Sequence, residues 1–96
     1  PAKTTLKLAK MNGLQALANA LVRQHRFAEA EIAARNGIQI AAASFGRNSI
    51  YMARAIDPMI LVLTRTSRLT EALNLAAIAI DILEKLGVDQ DGHRLN

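Results

Sequence analysis

The chain has no cysteine and no tryptophan. The first absence excludes disulfides, a thiolate nucleophile and a Cys-ligated zinc site, and it suits a reducing cytoplasm, where the chain is expected to reside. Aromatic residues make up only 3% of the 96 residues while apolar ones make up 51%, so alanine, leucine and isoleucine must fill the interior. Alanine is the best helix former and lets backbones approach closely, whereas the β-branched and aromatic runs of a sheet protein are missing. The class implied is all-α.

Other absences narrow the function. No uninterrupted apolar stretch approaches the roughly 18–20 residues of a membrane span, and Lys3, Lys7 and Lys10 interrupt the first apolar residues too often for a secretory signal. The five glycines, Gly13, Gly37, Gly46, Gly87 and Gly92, are isolated, so no Gly-rich phosphate loop exists. The histidines are His25 and His93, with no cysteine and no second histidine at ligand spacing, and they read as surface residues with no metal or general-base role. No catalytic constellation is present, and neither an enzyme nor a cofactor is expected. Acid is missing from residues 1–28, which carry Lys3, Lys7, Lys10, Arg23 and Arg26; Asp81, Glu84, Asp89 and Asp91, half of all the acids, fall in the last sixteen residues. With a net charge of +4, a basic front and an acidic tail imply either an acidic partner or head-to-tail self-association. Pro1 as first residue reads as a domain taken from a longer chain.

What is present is a repeat. Shifting the chain by 42 places lays Leu21, Arg23, Arg26, Glu29 and Ala30 on Leu63, Arg65, Arg68, Glu71 and Ala72, and Ala34, Ile38 and Ile40 on Ala76, Ile80 and Ile82. Leu14 and Leu17 fall opposite Ile56 and Met59, and Ser44-Phe45-Gly46 meets Lys85-Leu86-Gly87 after a one-residue slip. Each unit reads as two helices. Leu14, Leu17, Ala18 and Leu21 recur at the three- and four-residue steps of one helical face. Gln24-His25-Arg26 makes a turn, and Ala30, Ala34, Gly37, Ala41 and Phe45 stripe a second helix. Gly46 and Gly87 stand where a helix C-terminus takes a left-handed residue, and Asn48 or Ser49 can cap the next helix. The pattern predicts one domain over 1–96: repeat one at about 4–46, repeat two at about 47–87 and a polar tail at 88–96, with helices near 4–24, 27–45, 49–66 and 69–86. Pro58 interrupts the third helix; a kink there is favoured over a late start at Asp57-Pro58, because Ile50, Met52, Ala53 and Ile56 keep a helical rhythm before it.

The spacing of Leu14, Leu17-Ala18, Leu21, Phe27 and Glu29-Ala30 resembles the tetratricopeptide repeat, and the 42-residue period with Phe45-Gly46-Arg47-Asn48 and Leu86-Gly87-Val88-Asp89 resembles its kinesin light chain variety. The resemblance covers about residues 11–90. The chain departs from it where His25 and Ser67 replace the turn glycine and where Ala34 and Ala76 replace a large aromatic; the Pro after Asp-His is also missing. It implies two tandem antiparallel helix–turn–helix units of a right-handed α-solenoid fragment. By that resemblance the first helix of each repeat lines a concave peptide-binding groove. The inward positions are Asn12, Gln15, Asn19 and Arg23 in repeat one and Arg54, Asp57, Leu61 and Arg65 in repeat two. Arg23 and Arg65 stand one repeat apart, and guanidinium forks suit carboxylates; the competing account is arginines supported by neighbouring acids.

The last helix is apolar nearly all round, at Leu69, Ala72, Leu73, Leu75, Ala76, Ala77, Ile78, Ala79, Ile80, Ile82, Leu83 and Leu86. Such a helix must be covered on every side, by further repeats or by another copy. Leu75, Ile78, Ile82 and Leu86 form the stripe expected to pair two copies about a two-fold axis. The leading expectation is a scaffold module that binds a protein or peptide partner, possibly an acidic one. Behind it stand a self-associating homodimeric module and a regulatory segment of a larger protein. A nucleic-acid-binding repeat ranks last, since the arginines are scattered and Phe27 and Tyr51 are too few for a stacking platform.

Overall fold

Two short polar turns organise the chain. At Gln24-His25-Arg26 the backbone swings into the left-handed region at His25, with φ 61°, and at Thr66-Ser67-Arg68 it does so at Ser67, with φ 62°. The Arg26 amide then donates to the Leu21 carbonyl and the Arg68 amide to the Leu63 carbonyl, each at 2.8 Å. These positions are 42 residues apart, so the sequence recurrence is also a recurrence of backbone geometry. Neither residue is glycine, and both are exposed, so each turn holds a side chain at a positive φ.

The computed structural model describes residues 2–88 and 93–94. Four helices follow in order: α1 Ala2–Arg23, α2 Phe27–Phe45, α3 Ile50–Arg65 and α4 Leu69–Leu86. They match the expected boundaries to within two residues. In place of a side-chain cap, α2 and α4 each begin after an arginine that pairs with the glutamate three residues on, Arg26 with Glu29 and Arg68 with Glu71. Of the two candidate caps for α3, Ser49 serves; its hydroxyl accepts from the Met52 amide at 3.1 Å. Gly87 ends α4 in the left-handed conformation, φ 67° and ψ 37°, as a C-terminal cap requires. Gly46 takes a different course, φ 90° and ψ 159°.

Each helix packs on the next, and α1 also packs on α3; among the described residues α4 has no such packing on α1 or α2. Of the expected stripe of α2, Ala30, Ala34, Gly37 and Ala41 are buried and Phe45 is half-buried; Ala33 is buried as well. One cluster joins Ala18, Leu21 and Val22 of α1, Ala30, Ala33 and Ala34 of α2, Met59, Val62 and Leu63 of α3, and Ala72 of α4. A second gathers Ala53, Ile56, Ala79 and Ile82, and a third Met11, Ala41 and Ala55. Small residues at the crossings bring the helices close, at the expense of apolar area per residue.

α3 runs continuously through Pro58, which is buried; the helix starts well before the proline. The ring removes the amide that the Arg54 carbonyl would bind and crowds that carbonyl. The repeat-equivalent position in α1 is Ala16. We expect Pro58→Ala to stabilise the fold by about 0.5–1 kcal/mol. The gain is about 3 kcal/mol of helix propensity. Against it stand two lost ring methylenes at about 0.8 kcal/mol each and a looser unfolded chain at about 0.4–1 kcal/mol. Urea unfolding measures the sign, and a lower midpoint would show that ring packing outweighs the backbone.

Of the tail, Val88 and Arg94 form an isolated antiparallel bridge and His93 is exposed; Asp89 and Asp91 lie outside the described residues. No helix among the described residues is long and apolar enough to cross a membrane.

Candidate functional site

Basic charge predominates on α1 and α3. These two helices hold Lys3, Lys7, Lys10, Arg23, Arg54 and Arg65 against the single carboxylate of Asp57. Helices α2 and α4 hold Glu29, Glu31, Glu71, Asp81 and Glu84 against Arg35 and Lys85. Ion pairing follows the same division. Arg26, Arg35 and Arg68 pair with Glu29, Glu31 and Glu71, and Lys85 pairs with Asp81. No ion pair among the described residues involves α1 or α3.

Between α1 and α3 lies a cleft of about 370 Å³ lined by Gln15, Asn19, Arg54, Asp57, Pro58 and Leu61. Five of the eight expected groove residues therefore meet in one place. The packing of α1 on α3 brings them together, because each pair of equivalent positions, such as Gln15 with Asp57 or Asn19 with Leu61, sits at one level of two adjacent helices. Asn12, Arg23 and Arg65 are exposed and do not line this cleft.

The cleft is polar and incompletely satisfied. The Gln15 side-chain Nε2 is shielded from solvent with no hydrogen-bond partner, a condition that costs free energy until a partner arrives. Burial pushes the Asp57 carboxyl above the ordinary carboxylate value, and no cation is paired with it. The proline beside it leaves the Arg54 carbonyl without its helical donor. Amide donors, a carboxylate, a guanidinium and a freed carbonyl in one cleft, with Leu61 as its apolar element, can bind the alternating donors and acceptors of a peptide main chain.

The remaining candidates separate. The pairing stripe on α4 is not one exposed face: Ile82 is buried against Ile56 and Ala79, and Leu75 is half-buried against two core clusters. Ile78 and Leu86 stay exposed, as do Leu69, Leu73 and Ile80. Ile82 thus belongs to the chain's own core, because its azimuth points at α3. The aromatic rings are engaged with each other, Phe45 with Tyr51 at 4.3 Å between centroids and Phe27 with His25 at 5.5 Å. Among the described residues no three His, Asp or Glu side chains converge as a metal site would need.

Sequence reasoning missed Glu31. It accepts from Arg35 at 2.7 Å and from Arg68 at 2.6 Å, and so ties the turn before α4 to α2. Hydrogen bonds to Glu71 and Glu31 raise the Arg68 pKa, and the bond from Arg68 holds the Glu71 carboxyl below the usual glutamate value. The Arg68–Glu31 partners lie 37 residues apart, and no local spacing rule connects them.

Comparison with family models, with curated proteins and with solved structures finds no match to this chain.

Proposed function

We propose that the chain is a protein-interaction scaffold: two tandem tetratricopeptide-like repeats of a right-handed solenoid that hold an acidic peptide segment of a partner along the α1–α3 face. The observation that carries the reading is the division of charge. Among the described residues every ion-paired carboxylate lies on α2 or α4, while Arg23, Arg54 and Arg65 on α1 and α3 pair with none of them. The bland account, arginines supported by acids on neighbouring helices, applies to Arg26, Arg35 and Arg68 and not to these three. The cleft of Gln15, Asn19, Arg54, Asp57 and Leu61 supplies main-chain recognition, and the arginines beyond it select acidic side chains or a terminal carboxylate.

The repeat architecture is supported by the recurring turn geometry, by helices that pack on their successors and by the contact of α1 with α3. The aromatic pairs argue against base stacking, since their rings already pack on each other.

The test is a fluorescent library of acidic nonapeptides with free C-termini, titrated at low and physiological salt. The reading expects a subset to bind, with affinity falling as the screening length drops to about 8 Å. The variant with Arg23, Arg54 and Arg65 all replaced by Ala should lose at least about tenfold, equivalent to about 1.4 kcal/mol, with its helical circular dichroism unchanged. Equal binding by wild type and variant would overturn the assignment. So would the absence of any binder.

A further inference from the structure

We propose that copies of this chain associate head to tail, the outer face of α1 in one copy seating in the groove between α3 and α4 of the next. The inference rests on the two-repeat reading above; its entering surface on α1 lies outside the peptide cleft, while its seat shares Arg54 and Asp57 with that cleft.

The exposed large apolar residues fall into two separate groups at opposite ends of the helix order. Leu6, Leu17 and Ile32 lie on α1 and α2; Leu69, Leu73, Ile78, Ile80 and Leu86 lie on α4. A two-fold contact through α4 alone would leave the first group in water. The 42-residue shift relates the groups to an interface already inside the molecule. There, α3 seats on α1 and α2, with Ala55 packed in one cluster with Met11 and Ala41, and Met59 and Val62 in one with Ala18 and Ala34.

The receiving surface recurs. The equivalents of Met11, Ala18, Ala34, Ile38 and Ala41 are Ala53, Ile60, Ala76, Ile80 and Leu83. All five line a single cleft of about 340 Å³ between α3 and α4. The second repeat thus keeps the seat, and no helix among the described residues fills it. The entering surface recurs as well. The equivalents of Ala55, Met59 and Val62 are Gly13, Leu17 and Ala20, which with Leu6 share one face of α1 at helical spacing. Gly13 and Leu17 are exposed, and a Cβ built at Gly13 meets nothing within 4 Å.

Charge fits the same register. In the internal interface the start of α3 lies beside the end of α2, since a short loop joins them. The equivalent docking brings the start of α1, with Lys3, Lys7 and Lys10, beside the end of α4, where Glu84 has no ion pair. Helix dipoles are opposed there as well, positive end to negative end. Because seat and entering face are different surfaces, the contact is heterologous, and it propagates unless it closes into a ring.

Sedimentation velocity on the 96-residue chain tests this. Wild type is expected to show a weight-average mass that climbs with concentration past the dimer. Leu17→Glu, which spoils the entering face, and Ile80→Glu, which spoils the seat, should each be monomeric. Mixed, they should form a 1:1 heterodimer, because the first retains a good seat and the second a good α1. Gly13→Leu gives a second entering-face variant: Gly13 is exposed and a Cβ there meets nothing within 4 Å, while in the docked copy the added side chain falls at the position that Ala55 packs in the internal interface. It should be monomeric with full helicity. A wild type that stops at dimer and survives Leu17→Glu would overturn the proposal in favour of a two-fold α4 contact. A wild type monomeric up to about 1 mM, the range where only very weak contacts remain, would overturn it outright, as would a mixture that stays monomeric. Leu17→Glu and Ile80→Glu keep every peptide-cleft residue and, as monomers, leave the shared Arg54 and Asp57 uncovered by another copy, so peptide capture by these variants reports separately on the function proposed above.

Discussion

Ile56→Ala is expected to lower stability by about 2–5 kcal/mol, the range for emptying a fully buried aliphatic site. Ile56 is 0% exposed and sits between Ala53 on its own helix and Ala79 and Ile82 on α4. The alanine methyls of Ala53 and Ala79 are too short to fill the space, so the cost depends on how far Ile82 and the larger residues around the cluster can move in. A domain of this size holds about 5–15 kcal/mol in total, and each kcal/mol shifts the midpoint by about 4–8 °C, so the variant should unfold many degrees below wild type. Two neighbours sharpen the test. Ile82→Ala should cost about 2–5 kcal/mol as well, because Ile82 is buried. Ile78→Ala, on the exposed flank of the same helix, should stay within about 0.5 kcal/mol. Equal losses at positions 78 and 82 would mean that α4 is rotated from the orientation described.

Ala30→Leu and Ala72→Leu are expected to cost about 1–3 kcal/mol each by overpacking. The two alanines are equivalent under the 42-residue shift, lie in the same buried cluster and are 0% and 6% exposed. Each is the fourth residue of its helix, where the chain has just left the tight turn, so the backbone cannot retreat to admit three more carbons. Ala28→Leu, on an exposed position of the first turn of α2, serves as the control and should be near neutral. Thermal unfolding of the three variants decides the point. A neutral Ala72→Leu beside a costly Ala30→Leu would show that the second pair is packed more loosely than the first. Two neutral variants would overturn the register.

Much of this was legible in the chain, because the signals are local. Helix positions follow from apolar residues at three- and four-residue steps. The Ser49 cap, the Gly87 terminator and the buried alanines of α2 follow from rules that span one or two turns. The turns were placed correctly at His25 and Ser67 even though neither is the glycine that a positive φ favours. The repeat gave their positions where the residue type would not. Five groove candidates meet in one cleft because α1 packs on α3; Arg23 and Arg65 do not line it.

The sequence by itself determined the four helices, their order and the recurrence between the two pairs, since backbone hydrogen bonding and side-chain periodicity act within a few residues. Tertiary packing alone decided which side of an all-apolar helix is covered. In α4 the residues Ile78 and Ile82 lie four apart and have the same chemistry, yet one is 48% exposed and the other 4%, because α3 covers only one side of the helix. The same packing placed Glu31 within reach of Arg68 and set Gln15 beside Asp57. Such pairings depend on the angles at which helices cross, and those angles come from how side chains tens of residues apart interlock.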